Sequence, residues 1–268
     1  MPELVTDDGV AIYYQDFGDG VPIVFTCAGN ATHAMWSEQV ASLAREYRTL
    51  AWDWRGTGKS DIPRSGFTAE IAARDLCQLI ERVLGAPSVV VGHGMGSHLA
   101  LLAADDRPDL VRGLCLSDGG PWYSGDRDGV SGGMSDEFLS SFDAVAGASY
   151  ADALMHMIDE HVFRTPPSDP VRFASLTQGL AWPQYVSEAY DAAMHDLDHR
   201  QRIGRIRCPT LVIHGRHDHK QRYEGGVYMA QNIPGARLVT LEDSAHMGPT
   251  EEADAFASAL RELIRSSA

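Results

Sequence analysis

The stretch Gly92-His93-Gly94-Met95-Gly96 constrains this chain more than any other. An apolar run, Ser88-Val89-Val90-Val91, leads into it, and a helical run, Ser97-His98-Leu99-Ala100-Leu101-Leu102-Ala103-Ala104, leads out. Apolar residues too few for a helix, then closely spaced glycines, then helical spacing read as strand, sharp turn, helix. Glycine is the residue for backbone angles that side chains resist, and a turn this abrupt needs them.

The same alternation recurs along the chain and predicts an α/β fold with a mostly parallel central sheet flanked by helices. Pro22-Ile23-Val24-Phe25-Thr26 reads as a buried strand, Trp36 to Glu46 as a helix, and Thr49-Leu50-Ala51-Trp52 as a strand ending at Asp53. Phe67 to Leu84 has the pattern of a long amphipathic helix, stopped by Gly85 and Pro87. Further strands are expected at Arg112–Leu116, Thr210–His214 and Arg237–Leu241, and a closing amphipathic helix at Glu251–Arg265. Leu4-Val5 and Ala11–Tyr14, joined through Asp7-Asp8-Gly9, suggest an N-terminal hairpin.

One segment breaks the rhythm. Residues 121–202 open with a Gly/Ser/Asp-rich loop, then carry helical patterns rich in Met and aromatic residues. This segment is expected to form a helical cap or lid inserted into a core made of residues 1–120 and 203–268. Most of its apolar residues would form the cap's own core. Some must face a cleft, since ligand pockets are largely apolar. Trp122 and Trp182, together with Asn30 from the loop after the first buried strand, are the candidates for substrate contact.

Bulk properties narrow the classes of function. The chain has 268 residues, 44% hydrophobic and 22% charged, as expected for a globular enzyme-sized domain. Its net charge of −15 argues against nucleic acid or an anionic membrane surface as a partner. No apolar run reaches the length of a membrane span, and Met1-Pro2-Glu3-Leu4 lacks the basic-then-apolar layout of a secretion signal. Cys27, Cys77, Cys115 and Cys208 show neither metal-site spacing nor a disulfide framework, so a reduced, cytoplasmic setting is expected. A homodimer is compatible with the sequence, and neither metal nor organic cofactor is implied.

Two late motifs carry chemistry. Leu211-Val212-Ile213-His214-Gly215-Arg216-His217-Asp218 is an apolar strand followed by G-x-x-D, and Asp243-Ser244-Ala245-His246-Met247-Gly248-Pro249 sets a histidine in a loop before an acidic helix start. Together with the glycine turn and the D-x-x-G-x-G-x-S turn at Asp53–Ser60, these residues resemble the α/β-hydrolase superfamily over nearly the full length. In that family the turn is the G-x-S-x-G nucleophile elbow, and serine, acid and histidine follow in that chain order. The resemblance assigns Gly94 to the nucleophile position, Asp218 to the acid and His246 to the base. Asp118, at the end of the strand after the elbow helix, is a rival for the acid. Counting back from Trp36 places Cys27-Ala28 where the family usually has His-Gly, which implicates the amides of Gly29 and Met95 as the oxyanion hole, with Asn30 a neighbouring candidate. The other histidines, among them His33, His93, His98, His214, His217 and His219, read as supporting or surface residues, and Cys27 as a packed thiol.

Gly94 has no side chain, so no covalent intermediate can form there. Two enzymatic readings stay open. The chain is an inactivated form of a Ser–His–Asp hydrolase of a small ester or lactone, or of an amide or C–C bond. Alternatively, His246–Asp218 works without a nucleophile as a general base, as in lyases, cyclases and cofactor-free oxygenases of the superfamily. A non-catalytic ligand-binding role is the third reading, against which the intact dyad motifs weigh. In each, the partner is a small, partly apolar molecule entering beneath the cap.

Overall fold

The computed structural model describes residues 2–147 and 149–267. The strands β1 (Glu3–Val5), β2 (Ala11–Phe17), β3 (Pro22–Thr26), β4 (Arg48–Trp52), β5 (Ser88–His93), β6 (Val111–Ser117), β7 (Thr210–Gly215) and β8 (Arg237–Leu241) form one sheet. Their order is β1-β2-β4-β3-β5-β6-β7-β8. β1 pairs with β2, and β2 with β4, in antiparallel fashion; the other pairings are parallel.

Helices α1 (Ser37–Leu43), α2 (Ala69–Leu79) and α3 (Met95–Asp106) lie in the first half of the chain. Between β6 and β7 come α4 (Asp136–Ala146), α5 (Tyr150–Met157), α6 (Asp169–Leu180), α7 (Gln184–Met194) and α8 (Arg200–Ile203). The chain closes with α9 (Tyr223–Asn232), α10 (Gly248–Glu251) and α11 (Ala253–Ser266). α2 packs on α3, and α1 on α11, so helices enclose the sheet. That cover explains why β3, β5 and β7 read as continuous apolar runs rather than alternating ones: every residue in them is buried.

Two helix boundaries differ from the sequence expectation, each for a local reason. The helix expected from Phe67 starts at Ala69 because Thr68 caps it, its side chain accepting the Ile71 N–H. It ends as a wider π turn over Ile80–Leu84, closed by Gly85 at φ +67°. The helix expected from Trp36 to Glu46 is a 3₁₀ turn over His33–Trp36 followed by the shorter α1.

The turn after β4 anchors both the core and the helices above it. Arg55 is buried and holds Asp75 of α2 through two hydrogen bonds of 2.7 Å, while also pairing with Asp8. Its carbonyl accepts the Tyr190 hydroxyl from α7 at 3.2 Å. Trp54, Trp182 and Tyr190 pack ring against ring beside it, with centroids 5.3–5.6 Å apart. A buried ion pair adds little net stability, but removing one member strands the other charge. Asp75→Ala should therefore lower unfolding free energy by about 3–5 kcal/mol in urea titrations, whereas Asp7→Ala at the exposed Arg82 pair should change it by less than about 1 kcal/mol.

Candidate active site

The glycine turn lies where β5 hands over to α3. Gly94 has φ +53° and ψ −120°, a conformation that costs any residue with a Cβ. Its N–H donates to the Ser117 carbonyl of β6 at 2.9 Å, which locks the turn to the next strand. Its flanking glycines are needed for space: a Cβ on Gly92 would stand 2.4 Å from the Gly96 carbonyl oxygen, and one on Gly96 would stand 2.4 Å from that of Cys27. Ser97, just inside α3, is turned away into hydrogen bonds to the carbonyls of Gly92 and Ser117.

The histidine loop closes on this turn from the other side. A Cβ built on Gly94 lies 3.2 Å from His246 Nε2 and 3.4 Å from the Ala28 Cβ. His246 Nδ1 is 2.7 Å from Asp218 Oδ2. A carboxylate there accepts a hydrogen bond from Nδ1–H and so fixes the proton on Nδ1, leaving Nε2 as the bare, basic nitrogen. That Nε2 is buried and has no hydrogen-bond partner among the described residues. The loop is held by the acidic helix start noted in the sequence: Glu251 accepts the Ala245 N–H, and Glu252 accepts the Asp243 N–H and the Ser244 hydroxyl.

Asp218, not Asp118, meets the histidine. Asp218 Oδ1 also accepts the N–H groups of Lys220 and Gln221, at 3.0 and 2.9 Å. Burial alone would raise the Asp218 pKa, but His246 and His214 together hold it below the usual carboxylate range. Asp118 braces the ends of β6 and β7 instead, accepting the Gly215 N–H at 2.8 Å and the Ser117 hydroxyl at 2.6 Å. Burial pushes its pKa well above the carboxylate range. Asp118, His214 and Asp218 lie close enough to hold a cation. His214 Nε2 is bonded to the Gln221 carbonyl at 2.8 Å, and the two carboxylates accept N–H and hydroxyl donors from Gly215, Ser117, Lys220 and Gln221, with Asp218 also meeting His246.

His93 lies beneath His246, ring centroids 5.0 Å apart, with Nδ1 3.0 Å from the Ser117 hydroxyl. Burial pushes its pKa well below the ordinary imidazole value. Burial is also the main reason that His246 is lowered, with the Asp218 charge opposing it. Cys27 is buried, its thiol donating to the Ala31 carbonyl, and burial raises its pKa well above the thiol range, so it carries no reactive thiolate.

Met95, Ala28 and Gly29 surround the turn. The Met95 N–H, first in α3, has no intrahelical acceptor and follows Gly94 directly. On the opposing loop Ala28, not Gly29, lies against position 94. The Ala28 N–H has only the Met35 thioether as acceptor, at 3.4 Å, and a thioether is a weak one. Gly29 is set back against Met95, where a Cβ would stand 2.0 Å from the sulfur. Gly29, the residue expected from the count back from Trp36, follows Ala28 directly and borders both of the cavities described next.

Two adjoining cavities are lined in part by the helical segment between β6 and β7. One is lined by His246, Ala28, Met35, Val162, Phe163 and Gln178, among others. The other reaches Met95, Tyr123, Phe138, Phe142, Asp143 and Asp191. Gly29, Asn30, Met157 and Lys220 border both. Asn30 is held at φ +57°, and its side-chain oxygen accepts the hydroxyls of Tyr150 and Ser187, both at 3.0 Å. Trp122 and Trp182 line neither cavity, contrary to the sequence expectation. Each is buried in packing, with its indole N–H spent on the carbonyl of Gly125 and of Ala31 respectively. Lys220 was missed because a lone lysine in a loop carries no periodic signal.

A family model described as alpha/beta hydrolase fold matches residues 21–253. The chain belongs to this family. It is 26% identical over 268 residues to the AB hydrolase superfamily protein YisY of Bacillus subtilis, covering 97% of this chain and 98% of that one. It is 27% identical over 249 residues to a pimeloyl-[acyl-carrier protein] methyl ester esterase of Neisseria meningitidis, covering 92% and 94%. An esterase from Exiguobacterium antarcticum superposes with a TM-score of 0.89 at 26% identity, covering 98% of each chain. As in a globular member of this α/β-hydrolase family, no described helix is long and apolar enough to cross a membrane.

The lowered pKa of His246 has a measurable consequence. Its imidazole should titrate below 6.5 in an NMR pH series. Asp218→Asn, which removes the charge that opposes the shift, should lower the midpoint further.

Proposed function

We propose that this α/β-hydrolase-fold chain is an enzyme in which the His246–Asp218 dyad acts as a general base without a covalent nucleophile, on a small, largely apolar carbonyl compound bound beneath the cap. The observation that carries this reading is the bare Nε2 of His246, 3.2 Å from the position that a Cβ on Gly94 would take. At that spacing a side chain at position 94 would need the His246 ring to give by a few tenths of an ångström. The space in front of it suits a water molecule or an acidic C–H of the bound compound.

The steps follow from the residues. His246 Nε2 takes a proton from water or from carbon, and Asp218 stabilises the imidazolium that results. Backbone amides of Met95 and of the Ala28–Gly29 loop would hold the negative charge that develops on the carbonyl oxygen. The imidazolium then returns its proton to the product or leaving group. Esters and lactones are the first substrates to try, since the relatives include enzymes named as esterases.

The intact elbow supports a second reading, a Ser–His–Asp hydrolase inactivated by loss of its serine. The turn's backbone angles and both flanking glycines are those that a nucleophile at position 94 would need. The two readings separate on a panel of small esters and lactones. Under the first, the chain turns substrate over and His246→Ala lowers the rate by at least about a hundredfold. Under the second, the chain is silent, and Gly94→Ser raises p-nitrophenyl ester hydrolysis by at least about a thousandfold. Silence of both forms, with ligand binding retained, would leave a binding protein.

A further inference from the structure

Lys220 is one of only two lysines in the chain, with Lys59, and the fold buries it. Its side chain is 8% exposed and borders both cavities. The backbone that presents it is fixed by Asp218, which accepts the Lys220 N–H at 3.0 Å, so the carboxylate that orients His246 also places this lysine.

The ammonium is poorly matched by its surroundings. Its neighbours are the Met157 thioether at 3.9 Å and the face of the Phe138 ring, 5.0 Å to the centroid. No carboxylate of the described residues comes within 4.0 Å of it, although the chain pairs most of its arginines with acids. A buried cation without a hydrogen-bonded anion is costly, and a fold keeps one where something else completes it. The groups facing it divide by cavity. Asp143, Asp191 and His195 border the far cavity. Asp191 there is raised by burial and receives the Tyr123 hydroxyl, which lessens its pull on the lysine. The cavity that holds His246 contains no carboxylate; its lining is apolar apart from Asn30, Ser175, Gln178, His246 and Lys220.

We infer that Lys220 is a specificity-determining residue that takes the carboxylate of a ligand whose apolar body lies along the cavity leading to His246. One ammonium in an apolar wall neutralises one charge. A monoanionic carboxylate satisfies it, whereas a phosphate dianion would leave a second charge buried without a partner. The ligand class is thus an aliphatic or aromatic acid with a second, reactive carbonyl group. This assignment rests on the cavity being the ligand site proposed above, but not on what His246 does there.

Binding without turnover tests it. Hexanoate, hexanamide, methyl hexanoate and hexyl phosphate are titrated calorimetrically into the full chain and into Lys220→Met and Lys220→Arg. The full chain should bind hexanoate at least about tenfold more tightly than the amide or ester. Lys220→Met should erase that preference while leaving amide binding unchanged, and Lys220→Arg should retain part of it. Thermal melts guard against misfolding: Lys220→Met should melt at or above the parent, since it removes a buried charge. Equal binding of acid and amide, a carboxylate preference that survives in Lys220→Met, or tighter binding of hexyl phosphate would overturn the assignment. So would capture of a carbonyl compound by Lys220 on borohydride reduction, which would make the amine a nucleophile instead. A His246→Ala chain should show the same preference, so failure of the general-base reading leaves this result intact.

Discussion

Asp218 buries a carboxylate at the carboxyl end of the sheet, where the His246 ring and the N–H groups of Lys220 and Gln221 converge on its two oxygens. The rest of the site depends on this convergence. It selects the tautomer of His246 and leaves Nε2 bare toward Gly94. It sets the path of the loop after β7, and with it the position of the lysine. Without the donors, burial would favour the neutral acid, which would not hold a proton on Nδ1.

The elbow supplies the other half. Gly92 and Gly96 let β3, β5 and α3 approach so closely that no Cβ fits at either position. Gly94 then places a helix N-terminus and an empty van der Waals shell in front of the histidine. A histidine bonded to Asp218, the first N–H of α3 and an apolar cavity wall surround Gly94. On the reading proposed above, such a site would move protons and stabilise an oxyanion.

Much of this was legible in the chain. β3, β5 and β7 announce themselves as apolar runs bounded by turns. Asp218 and His246 stand in motifs whose local contexts, a strand end and a loop before an acidic helix, survive in the structure as described. The less legible parts depend on packing between distant segments. Of the loop after β3, the Ala28 Cβ lies nearest position 94, a contact with the elbow that no local pattern announces. Trp122 and Trp182 looked like ligand contacts, but their indole N–H groups found backbone partners and drew them into the interior. Asp118 and Asp218 both end strands, and only the three-dimensional meeting with His246 separates them. Lys220 could not be read at all, because nothing in a sequence tells a buried lysine from an exposed one.

The account turns on a neutral imidazole with its proton on Nδ1 and its lone pair facing the gap at Gly94. Long-range ¹H–¹⁵N correlation spectra of the histidines at pH 7, with His246 assigned by its loss in His246→Ala, read that state directly. The account predicts a neutral ring protonated on Nδ1, with Nε2 resonating as an unprotonated nitrogen. A proton on Nε2, or an imidazolium, would contradict it.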